Sequence, residues 1–162
     1  MRDHIAFEIK DPDLFRRQML NWCRQKPVFA ILDSNGYNNL LHEPALYPEF
    51  DYLAAVDALD LISCDSRNAL NELKVFIEDK NDWYFGLLGY DLKNEIENLV
   101  SENTDQLGFA DLYFFRPALV FFLKNKRLEI HYHTNDYSDK EVRATFDKIF
   151  CIHPFSEHQK WN

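Results

Sequence analysis

The segment at 112–123, LYFFRPALVFFL, constrains the fold more than any other part of the chain. It is apolar at odd and at even positions alike, apart from Arg116 and Pro117. Successive side chains of a β-strand point to opposite faces of the sheet, so this pattern predicts a strand that is covered on both faces. The residues at 124–127 then supply a hairpin turn, and the chain returns through Leu128, Ile130 and Tyr132. We therefore expect an antiparallel hairpin with layers of protein on both sides.

Four helices are predicted by their ends and by their apolar spacing. Asp11 is an N-cap candidate before Pro12, and apolar residues follow at 15, 19, 22 and 23. Ser66 can cap a second helix with an apolar stripe at 69, 70, 73, 76 and 77, and Asp91 a short third one. Ser138 and Glu141 match the capping box of a helix that Pro154 ends.

The remaining apolar segments predict strands. They lie at 28–32, at 50–62 (as one or two strands) and at 83–90, where two glycines indicate a close approach of another backbone. Strands joined by hairpins, without regular alternation of strand and helix, favour an α+β fold with a largely antiparallel sheet and packed helices.

The length of 162 residues fits one compact domain with a single core. A formal net charge of -9 has the wrong sign for nucleic-acid binding. No apolar stretch has the roughly 18 residues that a membrane span needs, and the amino terminus lacks the apolar core of a secretory signal. We therefore expect a cytoplasmic protein. Aromatic residues make up 15% of the chain, so some of them should lie at an interface.

No residue pattern predicts an active site. His131 and His133 share one face of a predicted strand, but two ligands are too few for a zinc site, so we expect no metal. Ser34 lacks the GxSxG context of a nucleophile and is interpreted as a turn residue. Cys23, Cys64 and Cys151 are widely spaced, and all three are expected to be buried thiols. The four glycines form no phosphate-binding motif.

One block carries a resemblance to a known family. The segment at 83–97, WYFGLLGYDLKNEIE, resembles the strand-and-helix block near the amino terminus of the large subunits of aminodeoxychorismate and anthranilate synthases. The continuation LGFADL at 107–112, followed by Arg116-Pro117, is also similar to that family. Upstream, ILDS at 31–34 looks like the end of the family's LLxS strand, and Phe50-Asp51 looks like its Phe-Asp pair.

The resemblance implies that the chain is one part of a larger enzyme. Residues 1–155 would be the amino-terminal, non-catalytic domain, which forms one layer of a larger two-region sandwich, and residues 156–162 would begin the linker. The absent catalytic region would bind chorismate and magnesium, and a glutamine amidotransferase would supply ammonia. The side chains expected to contact the catalytic region are Phe85, Tyr90, Phe114, Phe115 and Phe121. By itself the chain should lack the chorismate chemistry.

The resemblance also implies a pocket for tryptophan. Ser34 is the serine that ends the LLxS strand, and Leu32, Asp33 and Phe50 lie beside it in the predicted pocket. A departure from the family is Glu49, where arginine is common. An anion at this position should disfavour a ligand that carries a carboxylate.

Three functions follow from these expectations. The first is the scaffold and regulatory domain of aminodeoxychorismate synthase component I, in folate precursor synthesis, with anthranilate synthase component I as its alternative. The second is a free-standing amino-acid-binding sensor module. The third, a small independent enzyme, is disfavoured because no catalytic constellation is present.

Overall fold

The computed structural model describes residues 1–35, 50–65, 68–78, 80–97 and 108–153. Its main element is a six-stranded antiparallel sheet, which confirms the expected α+β fold. The strands are β1 (Arg2–Glu8), β2 (Phe29–Asp33), β3 (Tyr52–Cys64), β4 (Phe85–Leu88), β5 (Leu112–Lys124) and β6 (Arg127–His133). Their order across the sheet is β1-β6-β5-β3-β2, and β4 pairs with β5 outside this path.

The helices are α1 (Pro12–Cys23), α2 (Ala69–Glu78), α3 (Lys93–Glu97) and α4 (Asp139–Phe150), and a short 3₁₀ helix (Tyr90–Leu92) precedes α3. The Asp11 carboxylate accepts a hydrogen bond from the Leu14 N–H at 2.9 Å, so α1 begins where the sequence predicts. The Ser138–Glu141 capping box at the start of α4 is also present. No helix within the described ranges is long and apolar enough to cross a membrane.

The chain divides into two compact units, which corrects the expectation of a single core. Unit 1 consists of residues 1–57 and of the chain from 118 onward, and unit 2 consists of residues 58–117. Both long strands are irregular where the division falls. Asp57 in β3 has a left-handed backbone with φ of 56°, and Pro117 in β5 has no N–H to donate to a neighbouring strand.

The core of unit 1 lies between α1, α4 and one face of the sheet. Residues directly opposite each other on β1 and β6, such as Ile5 and Ile130, face this core together. Leu119 and Phe121 of β5 face it too, while Ala118 and Val120 on the alternate positions are also buried. The predicted burial of this strand on both faces is therefore confirmed for its unit 1 half, within the chain itself.

Unit 2 has a smaller core, in which Ala69, Leu92 and Leu112 are buried. The start of α2 is held by Glu95 of α3, whose carboxylate accepts a hydrogen bond from the Ala69 N–H at 2.8 Å. Ser66, the predicted cap, lies outside the described residues, as does Pro154. The predicted apolar stripe of α2 is only partly covered, since Ile77 is 38% exposed.

Two local predictions are wrong or incomplete. The residue that precedes the 3₁₀ helix is Gly89 and not Asp91, and it makes no side-chain cap. Strand β1 was not predicted, because its sequence, RDHIAFE, shows no regular alternation of apolar and polar residues. It pairs along its whole length with β6, from Arg2 opposite His133 to Glu8 opposite Arg127.

Candidate functional site

The carboxyl end of β2 lies beside the start of β3. Asp33 is directly opposite Tyr52 in the antiparallel ladder, and the Ser34 N–H donates to the Asp51 carbonyl at 3.0 Å. The turn after the strand is stabilised by Asp33, whose carboxylate accepts a hydrogen bond from the Asn35 N–H at 2.8 Å. Asp33 therefore makes the side-chain hydrogen bond of this turn that was expected of Ser34. The Ser34 hydroxyl makes no hydrogen bond among the described residues.

The four predicted pocket residues do not share one face of the sheet. Asp33 lies on the face of Tyr52, which is part of the unit 1 core, whereas Leu32 points to the opposite face and is 49% exposed. Phe50 packs edge to face on Phe122, with ring centroids 5.9 Å apart, and Phe122 alternates with the core residue Phe121. Because side chains alternate along a strand, Leu32 and the Phe122 ring that Phe50 contacts lie on the sheet face opposite Asp33.

Two residues that the sequence analysis did not select complete this site. Arg16 of α1 brings its guanidinium Nη1 to 3.7 Å from an Asp33 carboxylate oxygen. Tyr52, which is 2% exposed, lies opposite Asp33. We call Arg16, Asp33, Ser34 and Tyr52 the β2-end cluster. Its members come from α1, β2, β3 and the residue after β2, so only the fold brings them together.

Three atoms of the β2-end cluster are buried without a hydrogen-bond partner among the residues the structure describes. They are Arg16 Nε, the Ser34 hydroxyl oxygen and the Tyr52 hydroxyl oxygen. Buried polar groups nearly always have partners, and leaving one without a partner costs about 1–3 kcal/mol. Burial raises the pKa of the Tyr52 phenol, as do the nearby Cys23 and Asp33, so Tyr52 keeps its proton. The cluster therefore presents a cation and two hydroxyls that have free hydrogen-bonding capacity.

The block that carries the family resemblance lies in unit 2. The close approach of β5 explains why glycine occupies two of its positions. Gly86 is opposite Phe114, and a Cβ atom at Gly86 would come within 2.0 Å of the Tyr113 carbonyl oxygen. The Gly89 N–H donates to the Asp111 carbonyl at 2.6 Å, and a Cβ atom there would lie 3.0 Å from that residue. Strand β4 thus approaches β5 so closely that only glycine fits at position 86.

Arg116, also part of the resemblance, is the centre of an ion network in unit 2. Its guanidinium lies 2.6 Å from an Asp60 oxygen and 3.3 Å from an Asp82 oxygen, and the Lys80 ammonium lies 2.7 Å from Asp60. The hydrogen bond from Lys80 is the largest of the influences that lower the pKa of Asp60. Asp82 is 6% exposed, so its charge depends on the arginine. These contacts connect β3 and β5 with the segment that precedes β4.

The side chains predicted to contact a catalytic region have different environments. Phe85 and Phe115 are buried in unit 2, at 8% and 1% exposure, and Phe121 is fully buried in the core of unit 1. These three side chains lie in the interior of the part of the chain that the structure describes. Phe114 is partly buried against the small core of unit 2, and Tyr90 is 82% exposed.

Neither histidines nor cysteines form a metal site in the parts of the chain that are described. His131 and His133 do share one sheet face, and His131 stacks on His4 with ring centroids 5.2 Å apart. Burial raises the pKa of the Cys23 thiol to about 12, so Cys23 keeps its proton. Cys64 is partly buried and Cys151 is exposed, so the prediction of three buried thiols holds only for Cys23.

Comparison with known proteins does not assign the chain to a family. No model of a known protein family matches it, and no curated protein is similar to it at a significant level.

Proposed function

We propose that the chain is the amino-terminal scaffold and regulatory domain of a chorismate-aminating synthase, of the aminodeoxychorismate synthase component I type. The observation that carries this proposal is the apolar surface of unit 2. Leu87, Leu88 and Tyr90, all within the block that resembles the family, are 46%, 56% and 82% exposed. Phe109, in the continuation of that resemblance, is 72% exposed. Exposed apolar side chains of this size are what a protein interface would bury.

The local structure of the block supports the same proposal. A strand and a helical segment follow each other, and the glycines at 86 and 89 are required by close contact with β5. The resemblance therefore rests on residues that determine how β4 and β5 pack.

In this proposal the partner is a catalytic region that binds chorismate and magnesium in the cytoplasm, with ammonia supplied by a glutamine amidotransferase. The complete synthase would aminate chorismate for folate precursor synthesis, and the chain alone would be inactive. The anthranilate synthase of tryptophan synthesis is the alternative, and the product formed by the assembled enzyme distinguishes the two.

The experiment is the co-expression of the chain with the catalytic region of an aminodeoxychorismate synthase, followed by affinity purification. We expect a complex that converts chorismate and ammonia in the presence of magnesium, whereas the chain alone gives no product. Leu88→Asp should abolish the complex. The matched control is Val75→Asp on α2, which is 67% exposed but outside the block. Equal recovery of both variants in the complex, or turnover by the chain alone, contradicts the proposal.

A second function, an amino-acid-binding sensor, is favoured by the β2-end cluster. Its unpartnered polar atoms are what an amino acid such as tryptophan could satisfy. A ligand that binds the folded chain raises its melting temperature. The sensor function fails if saturating tryptophan leaves the melting temperature unchanged.

A further inference from the structure

Strand β1 is an edge strand of the sheet. One of its sides pairs with β6 along the whole length from Arg2 to Glu8, and no described strand pairs with its other side. An edge strand presents a row of unpaired N–H and C=O groups, which can pair with a further strand. β1 contains no proline that would block such pairing, and only Ile5 among its seven residues is buried.

The hydrogen bonds at the two ends of β1 show which residues turn their main chain to the free edge. The Thr134 N–H donates to the Met1 carbonyl at 3.4 Å, and the Ile9 N–H donates to the Lys126 carbonyl at 2.7 Å. Both pairs continue the β1–β6 register. Hydrogen-bonded and non-hydrogen-bonded pairs alternate in an antiparallel ladder. The odd-numbered residues of β1 therefore bond to β6, and the even-numbered residues direct their N–H and C=O groups to the free edge.

The main-chain groups at this edge are open in the second half of β1. The His4 N–H donates to the Asp3 carboxylate at 2.8 Å, in agreement with its direction away from β6. The N–H groups of Ala6 and Glu8 have no acceptor among the residues that the structure describes. Ala6 is also exposed and small, so its side chain does not keep another strand at a distance.

A second copy of β1 fits this edge in one antiparallel register. With a two-fold axis at the middle of the strand, Ala6 lies opposite His4 of the second copy and Glu8 lies opposite its Arg2. Every main-chain group that faces the free edge then has a partner. A register shifted by two residues in one direction would place Arg2 opposite Lys10, and both are cations. The same shift in the other direction would leave Glu8 without an opposite residue.

Charge favours the register that places Glu8 opposite Arg2. Opposite charges directly across an antiparallel pair stabilise it, and like charges destabilise it. Glu8 makes no ion pair within the described ranges, since Arg127 across from it on β6 pairs instead with Glu129 at 2.9 Å. Arg2 already donates to the Ala118 carbonyl at 3.2 Å, and a guanidinium has five N–H donors, so it can also donate to a carboxylate.

We propose that β1 pairs antiparallel with β1 of a second copy of this chain, so that two chains form a homodimer with a continuous sheet. The two-fold axis makes the contact isologous, and two Arg2–Glu8 pairs, one at each end, set its register. All residues of this contact belong to unit 1. The inference therefore goes beyond the proposed function and does not depend on the apolar surface of unit 2.

Sedimentation equilibrium of the full chain measures the association. A single pair of strands buries less surface than a standard interface, so we expect a reversible dimer with a Kd between about 1 μM and about 1 mM. A reducing agent in the buffer prevents a disulfide through the exposed Cys151. The mass of a single chain at every concentration up to about 1 mM overturns the proposal.

Charge reversal tests the register. Glu8→Arg places a cation opposite Arg2, and Arg2→Glu places an anion opposite Glu8, so each variant alone should dimerise at least about tenfold more weakly. A mixture of the two variants restores opposite charges at both ends and should form a heterodimer with the affinity of the unchanged chain. Glu78→Arg on α2, where the side chain is 61% exposed, is the matched control and should leave the affinity unchanged. A mixture that does not associate, or equal weakening by Glu78→Arg, overturns the proposal.

Ala6→Pro separates dimerisation from folding. Proline removes the Ala6 N–H, which faces the free edge, and proline is tolerated at such positions of edge strands. We expect the dimer to be lost, while the melting temperature of the dilute, monomeric chain stays the same. Undiminished dimerisation of Ala6→Pro contradicts the proposal. Formation of the complex with a catalytic region is measured separately, so failure here leaves the scaffold function standing.

Discussion

Gly86→Ala should separate β4 from β5. The added Cβ atom would lie 2.0 Å from the Tyr113 carbonyl oxygen and 2.5 and 2.7 Å from two Phe114 carbon atoms. Ordinary contact begins at 3.4 Å, so the strands must move apart by 3.4 − 2.0 = 1.4 Å. The obstacle is mostly backbone, which cannot rotate away as the end of a side chain can.

The expected loss of local stability follows from this displacement. Overpacking of a well-packed region costs about 1–3 kcal/mol. The β4–β5 ladder joins Phe85–Leu88 to residues 112–115. A shift of this size also breaks hydrogen bonds of this ladder, and each lost bond costs about 1 kcal/mol. We expect a total loss of about 3 kcal/mol from the local stability of unit 2.

Hydrogen exchange measures this loss residue by residue. The amides of β4 and the Gly89 N–H should exchange about 100-fold faster in Gly86→Ala, while the β1–β6 ladder of unit 1 is an internal reference. Gly89→Ala is the matched control, because its Cβ would meet Asp111 at 3.0–3.4 Å and needs a shift of only a few tenths of an ångström. Unchanged exchange in Gly86→Ala, or equal effects of the two substitutions, would refute the close-approach argument.

Three further predictions concern unit 1. Ser138→Ala should lower the free energy of unfolding by about 1 kcal/mol in urea titrations, because it removes half of the capping box of α4. Burial, and then His4, lower the pKa of His131 from its ordinary 6.5, so the unfolded chain binds this proton more readily. Stability should therefore be complete above about pH 6.5 and fall as the pH drops below it. His131→Gln should reduce the difference in urea midpoint between pH 7.5 and 5.5, and an unchanged difference contradicts the assignment. Iodoacetamide should modify the exposed Cys151 in the native chain and Cys23 only after denaturation, as judged by peptide mass spectrometry, since the Cys23 thiol is buried with a pKa of about 12.

The fold was predictable where local signals agreed with the tertiary contacts. The caps at Asp11 and Ser138 and the two-sided apolar pattern of β5 each depend on residues close in sequence. Strand β1 could not be found in this way, since its stability comes from pairing with β6, more than 100 positions away. The contact of Glu95 with the start of α2 was not predicted for the same reason, because Glu95 lies on α3.

The candidate site was only half predictable. Asp33 and Ser34 follow a strand that turn chemistry marks clearly, and the resemblance selected them. Arg16 looks like an ordinary polar residue of an amphipathic helix, and Tyr52 looks like a core aromatic. Their importance lies in the missing hydrogen-bond partners of Arg16 Nε and the Tyr52 hydroxyl, which only the packed structure reveals.

Trp22 lies in unit 1 and Trp83 lies in unit 2, so the intrinsic fluorescence of each can report on its own unit. Trp22 is 8% exposed in unit 1, where it packs edge to face on Phe121 beneath the Lys26 ammonium. Trp83 is 37% exposed in unit 2 and stacks on Phe85. In a Trp161→Phe background, removing one or the other indole would let fluorescence follow the melting of each unit separately. Thermal melts of the two single-tryptophan variants would then show whether the two units unfold at one temperature or at two.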